Sequence, residues 1–239
     1  MKTKRILSVL ITVLAFVALR MAVAPATSAK AGRVAVEYAA SQLEAPDAFT
    51  LIGTRSFLDG YDPVAASGNV NVVVEIPAGS VDKWEVDKED GSLRWELRDG
   101  KPRKVDYLGY PGNYGMIPRT LLPKAQGGDG DPLDVLVLGP AVPRGSVVEA
   151  RIVGVLHLLD GGEQDDKLLA VLSGTALGEV EDLQGLRARF PGVTDIVETF
   201  FSHYKGPGEL ETLGFGNAQE ANAILETAVR AFEASHDGS

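Results

Sequence analysis

The stretch GDGDPLDVLVL, Gly128–Leu138, sets three carboxylates, Asp129, Asp131 and Asp134, within six residues and runs straight into apolar chain. The unbroken apolar run after Asp134 reads as a buried strand, so the fold has to cover that strand while leaving its charged mouth open. Pro132 keeps Asp131 extended, and side chains alternate along extended chain. The three carboxylates can therefore converge at one end of a sheet. Carboxylates held together repel one another and take up protons unless a cation lies among them. Oxygen donors of this kind select Mg²⁺, Mn²⁺ or Ca²⁺. Asp, Gly and Pro are also turn formers, so a solvated turn is the competing reading. An EF-hand loop is excluded, because Leu133 stands where that loop needs its third oxygen ligand.

A second acidic cluster, LLDGGEQDDKLLAV, places Asp160, Glu163, Asp165 and Asp166 before Lys167, again between two apolar runs. By itself such a loop is an ordinary soluble hairpin; its likeness to the first cluster argues for a shared purpose. YPGNYGMIPRT adds Tyr110, Asn113, Tyr114 and Arg119, and SHYKGPG adds Tyr204 and Lys205. Tyrosines in such loops usually pack with satisfied hydroxyls, and Lys is favoured at a helix end. Beside two acidic clusters, Tyr110 and Tyr114 can instead donate hydrogen bonds to an oxyanion.

Period-2 alternation in NVNVVVEIP puts Val70, Val72, Val74 and Ile76 on one strand face and Asn71, Val73 and Glu75 on the other. KWEVDKEDGSLRWEL reads as a hairpin, with Trp84 and Val86 facing Leu93, Trp95 and Leu97. Further strands are predicted at Asp134–Leu138, Ser146–Leu159 and Lys167–Ser173, a spacing that suits a barrel or a sandwich. Helical spacing appears at Val197, Phe200, Phe201 and Tyr204, and again at Ala221, Ile224, Leu225, Ala228 and Phe232, behind Asn217 as N-cap. Strands first and helices last make an α+β chain.

The N-terminus reads as a secretory signal over residues 1–29: Lys2, Lys4 and Arg5, an apolar run from Ile6 to Leu19, then small residues with a cut near Ala29 or Ala31. Arg20 ends the run short of the roughly 20 residues a membrane span needs. The expected location is therefore periplasmic or secreted, with no stable membrane association after cleavage; a start at Met21 would leave the protein in the cytoplasm. Residues 30–68 lack periodicity and read as an N-terminal extension, leaving 69–239 as the main domain. The chain carries 23 Lys+Arg against 33 Asp+Glu, and removing the four basic residues of 1–29 moves the net charge from −10 to near −14. Such a surface argues against nucleic acid or anionic membrane as partner. With no cysteine, disulfides, thiolate metal sites and a cysteine nucleophile are excluded.

Taken in order, EIP, KWE, YPGNYG, DGDPLDVLV, DGGEQDDK and HYK resemble the soluble family I inorganic pyrophosphatases over about residues 70–205. The resemblance implies an OB-like, five-stranded closed β-barrel with flanking strands and C-terminal α-helices. It also implies Mg²⁺-dependent hydrolysis of pyrophosphate to two phosphates, Mn²⁺ being a possible substitute. Position by position, Asp129, Asp134 and Asp165 are similar to the ligands of the activating metals, with Asp134 shared. Asp160 resembles the ligand of the metal that arrives with substrate, and Glu75 a ligand of an additional metal. Asp131 is similar to the general base. Lys83, Tyr114, Lys167, Tyr204 and Lys205 match phosphate-binding positions, and Glu85 and Tyr110 supporting ones. The phosphate-contacting arginine is Arg98 or Arg103, with GKPR favouring Arg103. PKAQGG before Asp129 is longer than in compact bacterial members, and the signal departs from a mostly cytosolic family. Family members are hexamers or dimers, so a homo-oligomer is implied. Two other functions fit the same residues: a secreted protein that binds divalent metal or phosphate without turnover, and a phosphohydrolase of broader substrate range. A purely structural reading leaves both acidic loops solvated.

Overall fold

The computed structural model describes residues 43–122, 128 and 130–236. The signal over 1–29, the extension as far as residue 42, most of PKAQGG and the expected ligand Asp129 lie outside the described residues.

Two short strands, β1 (Glu44–Asp47) and β2 (Thr50–Ile52), precede β3 (Val70–Ile76). Next come β4 (Trp84–Val86), β5 (Leu93–Trp95), β6 (Leu97–Arg98), β7 (Lys101–Pro102), β8 (Asn113–Met116) and β9 (Asp134–Leu138). β10 (Val147–Asp160), β11 (Glu163–Gln164) and β12 (Lys167–Leu172) lead to the helices α1 (Leu183–Arg189) and α2 (Val193–His203). β13 (Leu210–Asn217) and α3 (Ala218–His236) close the chain. The fold is mostly strands, with few, C-terminal helices, and no helix among the described residues is long and apolar enough to cross a membrane.

The main sheet runs β11-β10-β12-β9-β8-β3, with β13 also on β10. The first residues of β10 pair with β3 as well, Val147 opposite Val73 and Ala150 opposite Val70. β9 and β12 are the parallel pair, Leu168 level with Val135. Their sequences DVLVL and KLLAVL show no alternation because both faces are covered, as strands in parallel pairs usually are. Val135, Val137, Leu168 and Ala170 pack with Ala221, Leu225 and Ala228 of α3. Leu136, Leu138, Leu169 and Val171 join Leu186, Val197, Phe200 and Phe201 of α1 and α2.

β3 differs from the half-polar strand its alternation predicts. Val73 and Glu75, on its expected outer face, are buried with the rest, because the β4–β5 hairpin covers that face and groups Val73 with Trp84, Val86 and Leu93. The hairpin itself has the expected pairs, Trp84 opposite Trp95 and Val86 opposite Leu93. Leu97 leaves it to pair with Pro102 and is exposed. Residues 43–68, read as extension, pack on this layer: β2 pairs with β5, and Phe57 is buried among the hairpin residues. Strands of three or four residues are too short to show a period, which is why the sequence hides them.

Candidate active site

The ends of several strands deliver the acidic residues to one place. Asp134 opens β9 and Lys167 opens β12, and the parallel register sets these two first residues side by side. Asp160 closes β10, and β11 folds back on it with Glu163 opposite Asp160. Tyr114 on β8 lies opposite Leu136 of β9 on one side and Ile76 of β3 on the other. Glu75, Lys83 and Glu85 come from β3, β4 and the turn between them.

Two adjoining clefts share Lys83, Tyr114, Asp131 and Asp134. One, about 200 Å³, is walled by Arg103, Asp160, Asp165, Lys167, Tyr204 and Lys205. The other, about 370 Å³, is walled by Glu75, Glu85, Lys88 and Glu89. Every expected site residue that the structure describes, apart from Tyr110, therefore lines one continuous depression. Tyr110 lies beneath it, its ring 5.0 Å from that of Tyr114 and 5.9 Å from that of Tyr204. Arg103 lines the cleft and Arg98 does not. Two hydrogen bonds from Arg103 Nη1 to the Glu96 carboxylate, 2.8 and 2.6 Å, preset that guanidinium.

At the centre, the buried Lys167 ammonium lies 2.5 Å from Asp134 Oδ2 and also binds Asp165. Lys205 pairs with Asp160 and Lys88 with Asp131. Lys88, Lys167 and Lys205 thus each face at least one carboxylate of the depression. Burial opposes ionisation of Asp134, but Lys167 and a hydrogen bond donated by Tyr114 hold its carboxyl below the ordinary range. Burial lifts Asp165, chiefly against the pull of Lys167. Burial also pulls on Lys83, but the acidic groups around it, Tyr110 and then Glu75, Asp134 and Glu85, raise its pKa on balance. Burial raises the phenols of Tyr114 and Tyr204, so both remain hydrogen-bond donors at neutral pH. Burial also pushes Glu75 up to about 8, while its Oε1 accepts the Val86 amide at 2.8 Å.

All the acidic donors are oxygens, the type that hard divalent cations take. Among the described residues no three carboxylate or imidazole groups stand as a ready ligand set, and Asp129 is not among those described.

Sequence reasoning missed Lys88, Glu89, Glu96 and Gln164 as neighbours of the site, while Glu163, marked only as part of the second acidic cluster, lines the cleft. Lys88 and Glu89 lie in a hairpin turn whose composition signals only a turn, and nothing local says that the turn overhangs Asp131. Asn113 and Arg119 prove structural. Asn113 Oδ1 accepts the amides of Ala78 and Val142, and its Nδ2 donates to Pro140. Arg119 binds the Asp59 carbonyl and Asp62.

The profile of the inorganic pyrophosphatase family matches residues 72–233. An inorganic pyrophosphatase of Xylella fastidiosa is 37% identical over 187 residues, which covers 73% of this chain and 97% of that protein. The solved Helicobacter pylori inorganic pyrophosphatase is 33% identical with a TM-score of 0.60, covering 73% of this chain and 99% of the other. The type I inorganic pyrophosphatase of Toxoplasma gondii has a TM-score of 0.74 over 80% of this chain and 97% of its own, at 24% identity, and speaks for the fold alone. The matched span takes in every site residue from Glu75 to Lys205, and the chain belongs to the inorganic pyrophosphatase family.

Proposed function

We propose that this chain is an inorganic diphosphatase that hydrolyses pyrophosphate to two orthophosphates with Mg²⁺, or Mn²⁺ in its place. The observation that carries the reading is the gathering of Asp131, Asp134, Asp160 and Asp165 with Lys83, Arg103, Lys167 and Lys205 in one cleft of about 200 Å³. Such a lining of charged and hydrogen-bonding groups suits a small polyanion and its cations.

Asp129, Asp134 and Asp165 would hold the activating metals with Asp134 shared, Asp160 the metal that accompanies substrate, and Glu75 a further one. Divalent ions, when bound, neutralise phosphate charge and make water more acidic. The chain's own groups do the rest. Asp131 takes a proton from the attacking water, whose oxygen bonds to one phosphorus as the bridging P–O bond breaks. Lys167, Lys205, Arg103 and the Tyr204 hydroxyl hold the charge that gathers on the departing phosphate. Lys83 and Tyr114 bind phosphate oxygens from the opposite wall, with Glu85 and Tyr110 fixing their surroundings.

The pairing of β10 with both β12 and β3 supports a finer reading of the fold, in which β3, β8, β9, β12 and β10 close into an OB-like barrel. Export by the N-terminal signal and assembly into a homo-oligomer belong to the same proposal. Both rest on sequence and family likeness.

The test is phosphate release from pyrophosphate, ATP and a phosphate monoester, each with Mg²⁺ and with chelator. Release from pyrophosphate alone, abolished by chelator, is expected. Mg²⁺ binding without release would instead identify a binding protein, and comparable release from ATP a broader phosphohydrolase.

A further inference from the structure

Of the four carboxylates in the DGGEQDDK loop, Asp160, Glu163 and Asp165 line the catalytic cleft. Asp166 faces the other way, into a separate cavity of about 380 Å³ that it lines with His157, Gln164, Glu220, Leu121 and Ile224. It is buried, yet its acceptors are in use: Oδ1 takes the Leu158 amide at 3.0 Å, and Oδ2 takes Gln164 Nε2 at 2.8 Å. His157 Nδ1 lies 2.9 Å from the same Oδ2. A carboxylate oxygen accepts, so a ring nitrogen facing one is placed as the donor. The far side of the ring, Nε2, stands 3.1 Å from Glu220 Oε1. Glu220 sits in the first turn of α3, where its amide donates to the cap Asn217 at 3.0 Å. A carboxylate–imidazole–carboxylate chain thus runs from α3 to the β10–β12 edge.

Its inner end lies between Asp165 and Lys167. Side chains alternate in extended chain, so pinning Asp166 on the back face sets how Asp165 and Lys167 present themselves on the front. The Asp165 amide donates to the Leu158 carbonyl at 2.9 Å, and the Leu158 amide donates to Asp166. The two bonds lock this stretch to β10 in both directions. The strand beyond leaves space for the chain and no more. A Cβ on Gly216 of β13 would stand 2.3 Å from Glu220 Oε2 and 2.8 Å from His157 Nε2.

We propose that Asp166, His157 and Glu220 are positioning residues that brace the segment between β11 and β12 from behind, tying the placement of Asp165 and Lys167 to α3. The proposal rests on the pyrophosphatase reading. Groups outside the coordination sphere that orient a ligand affect metal affinity when lost; here the tie to Asp165 runs through the backbone of residues 165–167.

Mg²⁺ binding without substrate, by isothermal titration, tests it in the full chain with His157→Ala, Gly216→Ala and the double variant. Gly216→Ala should displace the Glu220 carboxyl, the movable end of a flexible side chain. Each single variant should raise the Mg²⁺ dissociation constant, His157→Ala by about fivefold or more. The double should be no weaker than His157→Ala, since groups acting through one network are not additive. A merely structural contact would lower the melting temperature and leave Mg²⁺ affinity unmoved; that result, or effects that multiply in the double, overturns the proposal. Should His157→Ala fail to fold by circular dichroism, Glu220→Gln at the half-exposed outer end carries the same comparison with Gly216→Ala. A wild type with no saturable Mg²⁺ binding overturns the pyrophosphatase reading and this proposal together. Wild-type binding and turnover with equal Mg²⁺ affinity in the variants overturns this proposal alone.

Discussion

Lys167 shows how a single residue can organise a site. Only 3% of its side chain is exposed, and an isolated ammonium so placed would lose its proton. Asp134 and Asp165 outweigh burial and raise its pKa, so the charge stays where a phosphate would need it. Removing one partner of such a buried pair leaves an uncompensated charge, at a cost of about 3–5 kcal/mol. Asp131 differs: its side chain is 43% exposed and it meets Lys88 across the cleft mouth, where water can reach it. Asp131→Asn keeps the shape and removes the carboxylate proposed to take the proton. It should lower kcat by about 10²–10⁴-fold with unchanged circular dichroism. Phosphate release near the wild-type rate would rule out the general-base role.

The β4–β5 hairpin is the element that hangs Lys83, Glu85 and Lys88 over the site. Its turn is built from side chains. Asp90 Oδ1 accepts the Ser92 amide at 2.9 Å and the Ser92 hydroxyl at 2.6 Å, and Oδ2 meets Arg94 at 2.5 Å. The Ser92 bonds first, then Arg94, hold the Asp90 carboxyl down at about 2 from an ordinary value of 3.8. A depressed carboxyl pKa gives stability that is fully present above about 4 and lost as pH falls through about 2. Asp90→Ala should cost about 1 kcal/mol at neutral pH, and the loss relative to wild type should shrink below pH 4. Urea unfolding at pH 7 and pH 3 would show it; an equal loss at both would mean that the charge plays no part.

At the scale of the whole molecule, rings of α2 and the loop before β8 form the floor of the cleft. Phe200 and Tyr204 stack at 5.2 Å, and Phe201, wholly buried, lies 6.2 Å from Tyr114 and 5.8 Å from Tyr204. A helix-borne core thereby supports phenols that reach the cleft from different elements. Phe201→Ala should cost about 3–5 kcal/mol by urea denaturation through the cavity it leaves. With two phenols loosened, KM for pyrophosphate should rise as well. A loss under about 1 kcal/mol would show that the floor collapses to fill the gap. The net charge of −10 acts at longer range and is screened beyond roughly 8 Å at physiological salt, so cations close to the cleft govern binding there.

The amino-acid order alone determined the elements whose pattern is long or chemically marked: DVLVL with Asp134 at its head, the Trp84–Trp95 hairpin, and α3 behind Asn217. It also marked the acidic and tyrosine-bearing stretches from Glu75 to Lys205, because each is contiguous and carries its own chemistry. Tertiary structure decided what depends on distance between separate stretches: that Arg103 and not Arg98 reaches the cleft, that Lys88 meets Asp131, that Val73 and Glu75 are buried under the hairpin, and that residues 43–68 add strands beside it. It also turned Asp166 away from Asp165, toward His157 and Glu220. Spacing along a chain shows which side chains alternate; only the packed partners on each face decide which of two adjacent carboxylates looks toward the reaction and which toward the brace behind it.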